Sequence, residues 1–230
     1  MCGRKTLTKD IRSIIEELAI DEWENPENYS PSYNISPGQR SPIVIKEGQR
    51  TVKLMKWGLA PSWSQDESIG YKMINARSET LTEKPAYQEL ISKHRCVVIA
   101  DGYYEWKRAG KHKIPHYIYS QNRRLLPMAG LWSSRTCPGE GIENTYTVIT
   151  TDAHTNIRTV HHRMPVILDR ETFPLWLDVN NVSVTEALPM LLPYTGNLSI
   201  KEVSTMVNSP SHNSPDCIEQ VNNRQTLDLF

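Results

Sequence analysis

Cys2 stands where loss of Met1 leaves an α-amine and a thiol two carbons apart. Such a 1,2-aminothiol can capture an aldehyde and close on it as a five-membered ring. An α-amine titrates near about 7.7–8.0, so a useful fraction is neutral and nucleophilic at cellular pH. Glu105 lies in the aromatic stretch "GYYEWK", where alternation puts it on the face of Tyr103 and opposite Tyr104 and Trp106. Facing inward, it is a buried carboxylate with a raised pKa, suited to general acid–base work. Facing outward, it is an ordinary solvated glutamate. His161 and His162 are neighbours in "VHHRMPVIL". An extended chain would point them to opposite sides, leaving one as a catalytic base or both as hydrogen-bonded structural groups. Asn75 in "INARSE" suits a turn as well as it suits an orienting amide.

Arg4, Arg77 and Arg163 lie in these same polar stretches, and arginine beside reactive groups suits a phosphate or carboxylate ligand. Lys107, Arg108, Lys111, His112 and Lys113 form a basic hairpin whose charge either solubilises or binds. Trp57 and Trp63 bracket the loop "WGLAPSW", where they either stack on bases or pack inside. The cysteines Cys2, Cys96, Cys137 and Cys217 make no CxxC pair, and the histidines show no HxxxH or HExxH spacing. Neither a metal site nor a cofactor is expected, and the thiols are read as reduced.

The elements that must position these groups are mostly strands. Ile11, Ile14, Ile15 and Leu18 at helical spacing predict a helix over 8–20, capped by Thr8 or Asp10. "SPIVIKEGQRTVKLMKWG" reads as a hairpin turning at Glu47-Gly48. Thr80 and Glu83 suggest a capping box for a helix carrying Tyr87, Leu90 and Ile91. Five strand-like runs follow, from "CVVIA" to "TYTVITT", and then the short helices "TFPLWLD" and "TEALPMLL", the second weakened by Pro189. The segment "NSPSHNSP" reads as a loosening loop. Strands arriving in runs without regular crossover helices predict one α+β domain. Its core is expected to be a strongly curved, barrel-like, mainly antiparallel sheet with a few flanking helices.

No apolar run is long enough to span a bilayer, and Cys2-Gly3-Arg4-Lys5 leads straight into a polar segment without a signal-peptide pattern. A cytoplasmic or nucleoid setting with no membrane partner is therefore expected. Lys plus Arg and Asp plus Glu both number 26, so no global positive field draws the chain to nucleic acid, and any such binding must use a local patch.

Taken together, "MCGR", "YNISPGQ", "WGLAPSW", "INARSET", "ADGYYEWK", "VITTDAH", "HHRMPVIL" and "VNSPSHNSPDCIEQV" resemble the SRAP family. These SOS-response-associated peptidase-like proteins shield abasic sites in single-stranded DNA. The motifs run in order along nearly the whole chain, with 1–221 matching the domain and 222–230 lying outside the pattern as an extension. The resemblance implies that Cys2, once Met1 is lost, is the nucleophile that joins the ring-opened sugar. It further implies that Asn75 orients the reacting end, Glu105 is the acid–base group and His161 the catalytic histidine. Arg4, Arg77 and Arg163 match positions that hold DNA phosphates, Pro37 and Trp63 match supports of the bent strand, and Thr150 lies in a site-lining stretch. His162 replaces the aspartate common in the family, and no role is carried onto it. The partner implied is single-stranded DNA containing abasic sites, met by a monomer. Two other functions fit the same residues: a thiol peptidase or autopeptidase using Cys2 with His161, and a non-covalent single-stranded DNA-binding module.

Overall fold

The computed structural model describes residues 2–64, 66, 68–137, 139 and 141–221; the expected extension 222–230 lies outside the described residues. In chain order the elements begin with β1 (Arg4–Leu7), α1 (Ile11–Leu18), β2 (Glu22–Trp23), β3 (Ser32–Ile35), β4 (Arg40–Glu47) and β5 (Gln49–Trp57). The middle of the chain holds α2 (Ile69–Lys72), β6 (Asn75–Arg77), α3 (Pro85–Lys93), β7 (Arg95–Val98), β8 (Gly102–Ala109), β9 (His112–Ser120), β10 (Met128–Cys137) and β11 (Gly141–Asp152). Last come α4 (Thr155–Arg158), β12 (Arg163–Pro165), α5 (Thr172–Leu177), α6 (Val184–Ala187) and β13 (Leu198–Glu202).

Local chemistry explains most boundaries. Asp10 caps α1 by accepting the Ser13 N–H at 2.9 Å, Ile14 and Leu18 supply the buried stripe, and Ala19 ends the helix in the left-handed region. β4 and β5 turn at Gly48, whose φ of +83° suits a residue without Cβ. The capping box expected at Thr80 does not form. The Thr80 carbonyl instead closes a turn by accepting Glu83 and Lys84 N–H groups, and α3 starts at Pro85, whose fixed φ suits a first helical residue. A capping box exists at Ser183 and Glu186, opening α6, and Pro189 turns its end into a 3-10 segment.

The strands form two curled, mainly antiparallel sheets, in the orders β13-β9-β8-β1-β3 and β12-β11-β10-β7-β4-β5-β2. β6 adds to β11 in parallel, and β5 also pairs with β11 in parallel. The architecture is thus α+β in a single domain, with few helices. One apolar core joins the sheets through Leu7, Ile43, Val97, Val98, Leu131 and Val148, and each such side chain contributes about 1.5–3 kcal/mol on burial. A smaller cluster of Tyr104, Tyr117, Val203, Val207 and Cys217 sits beneath the C-terminal segment. The loop expected to loosen there is tied down: Asn34 Nδ2 donates to the carbonyls of Val207, Ser209 and His212 at 2.7–3.1 Å. Asn213 Oδ1 accepts the Tyr33 N–H at 2.7 Å. Among the described residues, no helix is long and apolar enough to cross a membrane.

Candidate active site

β1 pairs antiparallel with β8, with Arg4 opposite Tyr104 and Lys5 opposite Tyr103. This register brings the start of the chain alongside Glu105. β6 approaches from the other sheet through its parallel pairing with β11, Asn75 opposite Val148 and Arg77 opposite Thr150. The buried Trp57 ring fixes the residue before Asn75 by donating its Nε1–H to the Ile74 carbonyl at 2.9 Å. Asn75 Nδ2 then donates to the Cys2 carbonyl at 2.8 Å. His161 follows α4 and closes the group, its Nδ1 lying 4.0 Å from Glu105 Oε1. That separation exceeds a direct hydrogen bond. Four residues from four distant stretches therefore converge.

Glu105 faces inward and is 2% exposed. Burial disfavours the carboxylate and pushes its pKa up to about 7. Burial likewise pushes the His161 imidazole down to about 4, with the His162 and Arg108 charges adding in the same direction. Its Nδ1 lies 3.0 Å from the Arg163 backbone N and 3.2 Å from the Arg163 carbonyl oxygen, so the backbone of Arg163 fixes the ring in place. The expected divergence of the two histidines is not observed. Residues 161 and 162 are not in a strand, and their rings stack with centroids 4.5 Å apart. The Cys2 thiol is fully buried, and burial together with the Glu105 charge pushes it up to about 12, so it is held as a thiol.

The three arginines have different surroundings. Arg77 is exposed and makes no hydrogen bond or ion pair with the described residues. Arg4 donates to Asn34 Oδ1, the Val207 carbonyl and the Asn208 carbonyl at 2.7–2.8 Å, strapping the C-terminal loop to β1. Arg163 is buried and grips both Glu79 oxygens at 2.7 and 2.9 Å, Asp152 at 2.9 Å and the Thr150 carbonyl at 2.7 Å. Thr150 itself is buried, with its hydroxyl donating to the Ala76 carbonyl at 3.3 Å. Pro37 is half-buried and lies next to Gly38.

The tryptophans of "WGLAPSW" also divide: Trp57 is buried, and Trp63 is 69% exposed. Between them, Gly58 crosses Gly70 so closely that a Cβ on either would stand 2.7–2.8 Å from the other's carbonyl oxygen. The crossing fixes the loop against α2, which presents the exposed Tyr71 beside Gly38.

Sequence reasoning missed Tyr71, whose only signal was an aromatic in a polar, Gly-containing segment. It also missed Lys5, which is fully buried three residues after Cys2. Lys5 Nζ donates to Ser41 Oγ at 2.5 Å and the Ile99 carbonyl at 3.1 Å, and burial lowers its ammonium to about 7. Away from this site, His212 Nε2, Asp216 and Cys217 Sγ lie within 4.8 Å of one another. Their hydrogen bonds with one another and with Ser214 account for that grouping.

A family model described as SOS response associated peptidase (SRAP) matches residues 1–210. Abasic site processing protein YoqW of Bacillus subtilis (strain 168) is 41% identical over 222 residues, covering 95% of this chain and 99% of its own. Abasic site processing protein HMCES of Xenopus tropicalis is 35% identical over 264 residues, covering 96% of this chain and 78% of its own. A crystal structure of a Bacteroides thetaiotaomicron protein superimposes with a TM-score of 0.86 at 26% identity, covering 96% of this chain and 100% of that one. With matches of this extent in sequence and in fold, the chain belongs to the SOS response associated peptidase (SRAP) family.

Proposed function

We propose that this protein processes abasic sites in single-stranded DNA by capturing the ring-opened sugar on Cys2, once Met1 has been removed, as a thiazolidine. The carrying observation is the convergence on Cys2 of a backbone-pinning amide, Asn75, and a buried carboxylic acid, Glu105, within 4.0 Å of a neutral imidazole. The names of the relatives, abasic site processing proteins, support the substrate.

Glu105 first relays the proton that opens the deoxyribose hemiacetal to its C1′ aldehyde. The neutral α-amine of Cys2 adds to C1′, and the resulting hydroxyl leaves as water with a proton supplied by the Glu105 carboxylic acid, giving a protonated imine whose nitrogen keeps one hydrogen. Glu105, now a carboxylate, faces the Cys2 thiol as its base. Sulfur bonds to the iminium carbon as its proton passes to Glu105, the nitrogen becomes neutral with the hydrogen it already holds, and the ring closes with no oxidant or reductant while Glu105 ends protonated as it began. A pKa near 7 lets Glu105 serve in both protonation states. His161 assists proton transfer in imine formation and reversal while carrying no charge of its own at neutral pH.

Binding uses a local groove. Arg77 meets a phosphate directly, while Arg4 and Arg163 shape the walls by holding the C-terminal loop and the end of β11. Exposed Trp63 and Tyr71 offer ring faces to unpaired bases. Removal of Met1 is assigned to the chain's own cysteine chemistry, consistent with the peptidase in the family description.

The test uses protein shown by intact mass to lack Met1 and oligonucleotides carrying one abasic site. A heat-stable, slower-migrating species on a denaturing gel is expected with the native protein and absent with Cys2→Ala. No such species from the native protein, or an undiminished one from Cys2→Ala, overturns the assignment. General turnover of casein in the same preparation redirects it to a thiol peptidase.

A further inference from the structure

The groove beside Glu105 extends further than the residues used so far. A cavity of about 370 Å³ is lined by Glu105, Trp106, Arg108, Lys113, His161 and Asn208. Its floor is fixed: Trp106 Nε1 donates to Asn208 Oδ1 at 2.8 Å, and Arg4 holds the Asn208 carbonyl at 2.8 Å. Its rim carries two cations. The β8–β9 register sets Arg108 directly opposite Lys113, so both extend from the same face of the hairpin, and like charges in that position repel.

Several other cations are neutralised by carboxylates. Lys46 pairs with Asp178, Lys53 with Glu24 and Glu47, Lys56 and Arg135 with Glu143, and Arg163 with Glu79 and Asp152. Arg108 and Lys113 are exposed, and neither has a hydrogen-bond or ion-pair partner among the described residues. A facing, unneutralised cation pair at the mouth of a cavity that contains the acid–base group works against folding stability, and a bound anion resolves the conflict. Glu105, protonated over part of the neutral range, does not then repel it.

We infer that Arg108 and Lys113 together seat one phosphodiester of the DNA strand, the one adjoining the reacting sugar, separately from the phosphate met by Arg77. The inference rests on the abasic-site reading above and adds to it a second point of strand registration. Sharing one cavity with Glu105 and His161 limits the seated phosphate to the nucleotide step next to the lesion. Held there, the phosphate fixes how far the sugar reaches toward Cys2, and it screens the Arg108 charge from His161.

The double variant Arg108→Ala/Lys113→Ala tests this, with thermal unfolding, salt-dependent binding and cross-linking read on the same preparation. The melting temperature should stay level or rise, because a repulsion has been removed. Affinity for single-stranded DNA with an abasic site should fall, and the log–log salt slope should shrink by about 0.7, the amount for one single-strand phosphate contact. Replacing the flanking phosphodiesters one at a time by neutral methylphosphonates should weaken native binding at one position and leave the double variant insensitive there. Unchanged affinity and slope, or equal methylphosphonate sensitivity in both proteins, overturns the seat. The two ideas fail separately. Native protein that gives no cross-link refutes capture on Cys2 even if the slope responds, whereas native protein that cross-links beside a variant with unaltered binding refutes only the phosphate seat.

Discussion

Glu105 and Glu79 both stand against the turn that runs from His161 to Arg163, and the protein treats them in opposite ways. Glu79 is half-exposed, clasps Arg163 with both oxygens, and its carboxyl is held below the usual range by those hydrogen bonds. It is committed to the charged form and to holding structure. Glu105 is almost wholly buried 4.0 Å from a neutral histidine, and burial moves its proton affinity close to neutrality. A carboxylate near the surface beside an arginine is locked. One kept inside beside an uncharged imidazole becomes a group that can give and take a proton at working pH. The same turn therefore has a structural carboxylate on one flank and a reactive one on the other.

The largest expected effect tests the reactive flank. Glu105→Gln should slow cross-linking by about 10²–10⁴-fold, the usual contribution of a positioned acid–base group, with DNA affinity nearly unchanged in a gel-shift assay. Its stability should move the other way. Because the folded state raises this pKa, it holds the proton more tightly than the unfolded chain does. The favourable contribution is complete below the ordinary value of about 4.3 and is lost as pH rises through about 7. That loss amounts to about 3.5 kcal/mol at most. Urea unfolding of Glu105→Gln should lack it, leaving the variant more stable than the native protein at pH 8 and much closer to it at pH 4. A native protein whose stability does not fall between these pH values would mean that Glu105 is not held as described.

Arg163→Ala breaks the structural flank and comes next in size. It strands the Thr150 carbonyl and releases Glu79 and Asp152. Both carboxylates reach solvent, so the ion pairs themselves count for little, and the stranded carbonyl sets the expected loss at about 1–3 kcal/mol. Chemical denaturation measures it. The acid limb should also change: the lowered Glu79 pKa stabilises the fold above the ordinary carboxylate range and is lost as pH falls, so the variant should show a shallower decline on acidification. Arg163→Lys, which keeps charge but not the two-pronged geometry, should fall between. A cross-linking defect as deep as that of Glu105→Gln, with no loss of stability, would collapse the distinction between the two flanks.

How much of this was legible in the sequence depended on the range of the interaction. The β4–β5 hairpin with its Gly48 turn and the inward-facing option for Glu105 follow from period-two alternation and a local glycine, and both are present. The Thr80 capping box failed because Pro85, five residues beyond it, sets a later helix start. The histidine pair failed because alternation applies only to an extended chain, and residues 161 and 162 lie outside strands. What holds Arg4 and Arg163 was not legible. Arg4 reaches a carbonyl 203 residues away and Arg163 a carboxylate 84 residues away, and contacts of that span leave no periodic trace. Motif order could name three arginines as phosphate ligands, but only the fold separates Arg77, exposed and without a partner among the described residues, from the two already engaged.

Arg77 gives the smallest and most selective effect. Its exposed side chain has no partner among the described residues, so Arg77→Ala should leave the melting temperature unchanged, unlike Arg163→Ala, although the two residues occupy neighbouring strands on β11. If it meets one phosphate, affinity for abasic single-stranded DNA should drop several-fold and the salt slope should shrink by about 0.7. The cross-linking rate at saturating DNA should be preserved, because Glu105, His161 and the Asn75 bond to Cys2 are untouched. A slope that responds to Arg163→Lys and not to Arg77→Ala would invert the assignment, making the engaged arginine the phosphate ligand and its clasp on Glu79 a contact that DNA displaces.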